Sequence, residues 1–189
     1  MKLKRPHGTP RLLGIVWPFI AVVLFQALLG CVSLYMLSAV RSYVGGESLW
    51  SKGQKDAIYF LHLYSDTQDP VYFRKFQQAI SVPQGGHTLR LAMDQSPPDV
   101  VSAREGILQG GNSEQDVSSI IWFYRYFRNV SYMKTAIEKW TQGDAYLIQL
   151  DELAQEMHRA LLEGQASEAD VKRWEDNVSV SYTHLTLPT

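Results

Sequence analysis

This chain has only one cysteine, no acidic residue in its first 40 positions and no charged residue over one long stretch. It has 189 residues and a single cysteine, Cys31, so no disulfide can form within it. All 19 acidic residues follow position 40, where they outnumber the basic ones. An acidic surface argues against nucleic-acid binding, which needs clustered Lys and Arg. We therefore expect no nucleic-acid partner.

Motifs that mark common active sites are absent as well. The sequence has no P-loop G-x-x-x-x-G-K-[ST], no G-x-S-x-G elbow and no H-E-x-x-H zinc motif. His62, His87 and His158 lie far apart and lack the spacing of metal ligands, so we interpret them as surface or loop histidines. We predict no catalytic, cofactor-binding or metal-binding residue and no cofactor. We do not expect this chain alone to be an enzyme.

An uncharged run from Leu12 to Val40 is long enough to cross a bilayer, which needs roughly 20 apolar residues. Every charged residue before it is basic, which predicts that residues 1–11 lie in the cytoplasm. A cleavable signal peptide would have a shorter apolar region. The "LLGC" at Leu28–Cys31 resembles a lipoprotein signal, so lipidation of Cys31 stays open. We favour an uncleaved anchor at 12–40, with the lipid bilayer as a partner.

A seven-residue stripe begins where the uncharged run ends. It predicts that the membrane helix continues as a helix that packs on others through this face. The double glycine Gly45–Gly46 is either a hinge at the bilayer surface or a point of close helix packing, and both interpretations stay open. The stripe consists of Tyr43, Trp50, Ala57 and Tyr64, joined by Leu61, Gly46, Gly53 and Gln54.

Residues 41–179 have helical periodicity throughout. The second helix is expected to start at Asp69–Pro70 and to end in a turn at Val82–His87. The third is expected to open at Ser96–Pro98 and to close at Gly110–Gly111. Two capping boxes are predicted, Ser113 with Asp116 and Ser167 with Asp170. The short segment Thr88–Asp94 is ambiguous between strand and helix.

These boundaries predict an all-α fold, with one transmembrane helix at 12–40 followed by an extracytoplasmic bundle of four to five helices at 41–179. A long amphipathic helix is expected from Met133 to Leu161, with Asp144 interrupting its buried face.

Aromatic residues are dense at Trp122–Phe127. One interpretation is a ligand-stacking wall, with Arg125 and Arg128 supplying positive charge for an anion. The other, which we favour, is a core helix whose arginines face water. Lys52 and Lys55, near Trp50, pose the same choice, and we again favour a solvated face.

The last ten residues, "VSYTHLTLPT" at 180–189, do not fit a helical domain. They resemble the translation of the transposon-end adaptor that is ligated to DNA fragments for sequencing. We therefore expect this tail to be non-native and the protein to be a fragment truncated near Ser179.

Two segments carry a family resemblance: "GESLWSKGQKDAIYFLHLY" at Gly46–Tyr64 and "GILQGGNSEQDVSSIIWFYRYF" at Gly106–Phe127. They resemble the N-terminal sensory region of membrane-bound bacterial signalling proteins of the motility-regulator type, which carry GGDEF and EAL output domains. The similarity covers about residues 11–179. It implies an anchor helix, an extracytoplasmic helical sensor, a second membrane helix, and cytoplasmic PAS and cyclic di-GMP domains.

On this resemblance the chain is the input part of an inner-membrane receptor, with its sensor in the periplasm and a diguanylate cyclase or phosphodiesterase as the output. The signal would be an unidentified small molecule or protein, and the receptor would be a homodimer through its helices. The chain contains no GGDEF or EAL motif, so no active-site residue carries over. Two alternatives stay open: the input of a sensor histidine kinase, and a membrane-anchored structural helical protein without a signalling output.

Overall fold

The computed structural model describes residues 9–164, 166–167, 169–174 and 176–178. All secondary structure in this part of the chain is helical, which confirms the all-α class. The non-native tail predicted at 180–189 and most of the predicted cytoplasmic N-terminus lie outside the described residues. The elements are α1 (Thr9–Thr67), α2 (Pro70–Asp94), α3 (Val100–Gln109), a 3₁₀ turn (Glu114–Asp116), α4 (Val117–Phe127) and α5 (Ser131–Leu162), followed by helical residues at 169–174 and 176–178.

Helix α1 is unbroken over 59 residues, or about 90 Å at 1.5 Å per residue. Its N-terminal part is apolar enough to cross a membrane, and none of its most apolar stretch is buried inside the structure. A core helix of a soluble protein would bury such a surface, because exposed apolar area is unfavourable in water. The helix continues past residue 40, as the sequence predicted, and it also runs through Gly45 and Gly46 without interruption.

The C-terminal part of α1 packs along α2 through the predicted stripe. Ala57, Leu61 and Tyr64 are buried in a core with Phe73 and Phe76 of α2. Gly53 and Gln54 are buried too, whereas Trp50 and Tyr43 are half-buried. The seven-residue spacing therefore identified the packed face of α1.

Helix α2 starts where the sequence predicted but ends later. The Asp69 carboxylate accepts a hydrogen bond from the Val71 amide at 2.8 Å, and Pro70 occupies the first turn. The turn predicted at Val82–His87 is wrong, because α2 continues through Pro83, Gly85 and Gly86 to Asp94. The ambiguous segment Thr88–Asp94 is helical.

Close packing explains why these glycines do not end α2. A Cβ on Gly85 would lie 2.4 Å from the Gly106 carbonyl oxygen, and a Cβ on Gly106 would lie 2.6 Å from the Gly85 oxygen. A Cβ on Gly53 of α1 would lie 2.8 Å from Val82 Cβ. Glycine is thus used here so that three helices can approach backbone to backbone.

Both ends of α3 are fixed by local hydrogen bonds, and its N-cap lies three residues later than the sequence predicted. Asp99, rather than Ser96, is the N-cap, and its carboxylate accepts from the Val101 and Ser102 amides. Gly110 and Gly111 close the helix as predicted, and Gly111 adopts φ +80°, where glycine is favoured.

The two predicted capping boxes have different outcomes. The Ser113 hydroxyl donates to the Asp116 carboxylate at 2.7 Å instead of accepting from its amide, and a 3₁₀ turn forms there. At the second box, the Ser167 hydroxyl accepts from the Asp170 amide at 3.2 Å, and the Asp170 carboxylate accepts from the Ser167 amide at 3.1 Å. The second box is therefore confirmed.

Helix α5 runs beside α1 in the same direction, with Trp140 next to Tyr43 and His158 next to Tyr64. Its Met133 lies in a cluster with Met93 and Tyr124, and its Met157 lies in the core that contains Leu61. Gly143 lies within this helix without breaking it. Trp174 packs into the same core as Met157 and is almost fully buried.

Candidate functional site

A pocket of about 80 Å³ lies where α1, α2, α3, α4 and α5 meet. Its α1 wall starts at Ser42, two residues after the uncharged run ends. The walls are mainly apolar and aromatic, and a few polar side chains interrupt them. The aromatic walls are Tyr43, Trp50, Tyr124 and Trp140, and the polar lining side chains are Ser42, Glu47, Arg90 and Asn112.

Glycines make room for this pocket. Gly46, Gly86, Gly106 and Gly110 line it, so parts of its wall are bare backbone. A Cβ on Gly46 would lie 3.2 Å from the Asn112 side-chain oxygen, whereas a Cβ on Gly45 would meet nothing within 4 Å. Gly46 is therefore a point of close packing, and α1 stays helical through the pair.

The indole of Trp50 forms a bridge between two helices. A Cβ on Gly86 of α2 would lie 3.2 Å from its Cδ1 and 3.7 Å from its Nε1. A Cβ on Gly143 of α5 would lie 3.6 Å from its Cη2. The same point at Gly86 is 3.5 Å from Nη1 of Arg90, so the indole N–H and the guanidinium are neighbours on one side of the pocket.

A buried ion pair joins α2 to α5 beside the pocket. Nη2 of Arg90 donates to Oδ1 of Asp144, and both side chains are more than nine-tenths buried. His87 Nδ1 lies 2.8 Å from the other carboxylate oxygen. The sequence placed Asp144 as an interruption of the buried face, and the structure shows that this carboxylate is itself buried and paired.

Of the two placements expected for His87, surface or loop, the loop is wrong and the surface position is confirmed only in part. The residue lies within α2 and is only partly exposed, against a buried carboxylate. Burying a charge is unfavourable unless a partner of opposite charge is held close. Asp144 therefore neutralises Arg90 and orients the ring of His87.

Three polar atoms on pocket-lining side chains are buried without a hydrogen-bond partner in the described part of the structure: Tyr43 Oη, Trp50 Nε1 and Arg90 Nε. The indole and guanidinium nitrogens can only donate. Leaving such a donor unsatisfied costs about 1–3 kcal/mol. All three atoms have almost no accessible surface, so they are enclosed by the packed helices rather than open to the pocket.

Two phenols in the walls stay protonated at neutral pH. Burial raises the pKa of Tyr43 well above its ordinary value, and the nearby Glu47 adds to the rise. Burial also raises the pKa of Tyr124, with a further contribution from Asp94. Both side chains therefore line the pocket as neutral hydroxyl groups.

The aromatic segment Trp122–Phe127 has one face that lines the pocket and another that is exposed. Tyr124 is buried and lines the pocket, whereas Arg125 is exposed. Arg128 forms an ion pair with Asp94 at 2.9 Å and donates to the Met93 carbonyl at 3.1 Å. Neither arginine lines the pocket. The segment thus supplies part of the aromatic wall without the cations that the ligand-binding interpretation required.

The other residues weighed from the sequence lie elsewhere. His62 is 3.7 Å from Asp66 on an exposed face of α1. His158 stacks on Phe73, with ring centroids 3.8 Å apart, and lies 2.7 Å from the Tyr64 hydroxyl. Across the described residues no three His, Cys, Asp or Glu side chains gather as metal ligands would. Lys52 and Lys55 are exposed, as expected for a solvated face.

Comparison with known proteins adds no relative: no family model, no curated protein and no solved structure matches this chain. The site therefore rests on its own geometry. Sequence reasoning placed Trp50 on the packed stripe but did not identify Arg90 as a site residue. The signal that was present is Asp144, an acid on the buried face of α5, because a buried carboxylate requires a cation or donors nearby.

Proposed function

We propose that this chain is the sensory input of a membrane-anchored bacterial receptor, with α1 as both its anchor and its transmitting helix. The observation that carries the proposal is the continuity of α1. One unbroken helix has an exposed apolar part and, directly after it, side chains that line a pocket. An occupant that favours one packing of the pocket would shift α1 against its neighbours, and a rigid helix would transmit that shift into the membrane.

In this proposal the helices after residue 40 form a bundle in the periplasm. The basic residues before the apolar run support a cytoplasmic N-terminus. An aromatic contact supports a membrane surface near α4. Tyr35, within the uncharged run, packs edge-on against Trp122 with ring centroids 5.0 Å apart. Tyr126 and Tyr132 nearby are largely exposed, and Trp and Tyr are enriched at bilayer interfaces.

Reporter fusions test this topology. Alkaline phosphatase fused after Leu162 should be active, because the enzyme folds only after export, whereas green fluorescent protein at the same site should be dark. The matched control is each reporter fused after Arg11, before the apolar run, where the activities should reverse. A fluorescent fusion after Leu162 would refute the periplasmic placement.

The proposed output is a cytoplasmic domain that makes or degrades cyclic di-GMP. The resemblance of the sensor segments supports this part of the proposal. Reading the genomic sequence beyond codon 179 tests it: a second apolar helix followed by GGDEF or EAL motifs is the expected result. A histidine-kinase core there would favour the kinase alternative, and an immediate stop codon would favour a structural membrane protein.

We also propose that the receptor is a homodimer. The face of α1 that carries Val44, Ser48 and Lys52 is exposed along the packed part of the helix. In a Cys31→Ser background, Ser48→Cys should cross-link two copies in membranes, whereas Arg104→Cys, at an exposed position of α3, should not. Equal cross-linking at both positions would indicate random collision rather than a dimer through α1.

A further inference from the structure

Helix α4 runs toward the apolar part of α1. The Ser42 hydroxyl donates to the Asp116 carboxylate at 2.6 Å, directly before α4 begins. Further along α4, Trp122 packs edge-on against Tyr35, with ring centroids 5.0 Å apart. The contact on α1 thus moves back from residue 42 to residue 35 as α4 proceeds. The end of α4 therefore lies beside the last turns of the uncharged run.

Helix α5 starts at the same level and leads away from it. Trp140 of α5 lies next to Tyr43, with ring centroids 5.8 Å apart, and α5 runs in the same direction as α1. Tyr132 precedes Trp140 by about 12 Å of helix, and Tyr35 precedes Tyr43 by the same length. Tyr132 therefore lies at about the level of Tyr35, so the end of α4 and the start of α5 form one corner there.

This level coincides with the headgroup region of a bilayer that α1 spans. The uncharged run 12–40 is about 44 Å long. A bilayer is about 40–45 Å thick with its headgroups, and its hydrocarbon core takes about 30 Å of that. Tyr35 lies about 8 Å inside the end of the run, near the boundary between hydrocarbon and headgroups. Trp and Tyr are enriched at this boundary, because their rings have an apolar body and a polar end.

The corner presents aromatic side chains to the outside of the bundle. Tyr126 is 65% exposed and Tyr132 is 83% exposed. Trp122 packs on Tyr126 with ring centroids 5.6 Å apart, so these rings extend the contact made with Tyr35. Exposed apolar area is unfavourable in water but not at a membrane interface. We call this surface the aromatic corner, and it consists of Trp122, Tyr126, Val130 and Tyr132.

The charge of the corner suits an anionic surface. The stretch 117–137 contains three basic residues and no acid, whereas the chain after residue 40 is acidic overall. Arg125 is exposed and follows Trp122 by three positions, so both lie on one side of α4. The charge of Arg128 is matched by Asp94 at 2.9 Å. Arg125 is therefore the cation best placed to meet a phosphate, which a guanidinium binds in bidentate fashion.

We propose that the aromatic corner lies in the headgroup region of the membrane and binds anionic phospholipids there. Its rings lie among the headgroups, and Arg125 donates hydrogen bonds to a lipid phosphate. The corner is then a second membrane contact of the chain, held against α1 through Tyr35. This inference rests on the membrane anchor of the proposed function and names the lipid surface as the partner of the bundle.

Fluorescent labels measure the depth of the corner. The full chain in lipid nanodiscs, in a Cys31→Ser background, carries an environment-sensitive fluorophore at Tyr126→Cys, and some lipids carry a nitroxide quencher. Tyr59→Cys is the matched control, because Tyr59 is 57% exposed on α1 about 28 Å beyond the run. Leu24→Cys marks the middle of the run. A headgroup quencher should act at least about threefold more strongly at Tyr126 than at Tyr59, and a quencher on the acyl chain should act most strongly at Leu24.

Lipid composition tests the charge. Replacing part of the neutral lipid by phosphatidylglycerol should increase quenching at Tyr126. Arg125→Gln should remove most of this increase, because one cation near an anionic surface changes its attraction by about fivefold. Arg74→Gln is the matched control, since Arg74 is exposed on α2 beside Phe73, far from the run, and it should leave the increase unchanged. High salt should also reduce the increase, because salt screens exposed charges.

The outcomes separate this inference from the proposed function. Quenching at Leu24 without quenching at Tyr126 would refute the membrane contact of the corner and leave the anchor in place. Absence of quenching at Leu24 as well would refute the anchor, and the corner with it. Cross-linking of two copies through Tyr126→Cys in place of quenching would identify a second copy as the occupant. Equal quenching in neutral and anionic bilayers, or an unchanged response in Arg125→Gln, would overturn the anionic partner.

Discussion

Replacing Gly85 by alanine should destabilise the packed helices, and the structure gives the magnitude. The added Cβ would lie 2.4 Å from the Gly106 oxygen and 2.6 Å from the Gly110 nitrogen. Both neighbours are backbone atoms, so no side chain can rotate away. Restoring ordinary contact requires α2 and α3 to separate by about 1 Å. Overpacking of this kind costs about 3 kcal/mol at the upper end of its usual range.

The helix preference of alanine offsets part of this cost. Alanine favours a helix interior over glycine by about 1 kcal/mol, which leaves a net loss of about 2 kcal/mol. For a chain of this size, each kcal/mol shifts the melting temperature by about 2–4 °C, so Gly85→Ala should melt about 4–8 °C lower. The assay is thermal unfolding followed by circular dichroism at 222 nm in detergent or nanodiscs.

Gly45→Ala is the matched control. Gly45 is also helical, but its added Cβ would meet nothing within 4 Å. Only the helix preference remains, so this variant should melt about 2–4 °C higher than the parent. If Gly85→Ala melted at or above the parent, α2 and α3 would not cross at this glycine. A lower melting temperature for Gly45→Ala would instead reveal a contact or bend at that residue.

Three further perturbations follow from the site and its surroundings. Asp144→Ala leaves the buried charge of Arg90 unpaired and should lower the free energy of unfolding by about 3–5 kcal/mol, measured by urea denaturation; little change would mean that the pair is solvated. Hydrogen bonds from Ser42 and Ser113 lower the pKa of Asp116 in the folded protein. The ionised carboxylate therefore stabilises the fold above the unfolded-state pKa of about 3.9. This stabilisation is lost as pH falls through the lower pKa of the folded state. Melting temperature against pH from 2 to 6 should show this loss, and Ser42→Ala should reduce it; identical profiles would exclude the contact. Trp50→Ala should lower the free energy of unfolding by less than the about 3–5 kcal/mol typical of a buried tryptophan, because the Trp50 side chain is half-buried. A larger decrease, measured by urea denaturation, would place Trp50 in the core.

Features that depend on near neighbours in the sequence were predicted well. The start of α2 at Asp69, the end of α3 at Gly110 and the capping box at Ser167 all involve hydrogen bonds within a few residues. Local chemistry decides such contacts, so the sequence displays them directly. The stripe on α1 was readable for a related reason, because the period of a helix fixes which side chains share a face.

Features that depend on distant residues were missed. Glycine both ends helices and allows close packing, and only Gly106 on another helix decides which role Gly85 has. The pairing of Arg90 with Asp144 joins residues 54 positions apart, and the contact of His87 with the same carboxylate spans 57. Neither separation follows a local pattern, so the pocket and its unpartnered donors could not be predicted.

The sequence by itself determined the helical class, the exposed apolar part of α1 and the face on which that helix packs, because all three follow from the periodicity and charge of neighbouring residues. Only the tertiary structure decided that α2 continues through its glycines and that Asp144 becomes buried beside Arg90. The physical reason is that close backbone approach and charge burial are properties of two helices together, and each helix alone carries only half of the interaction.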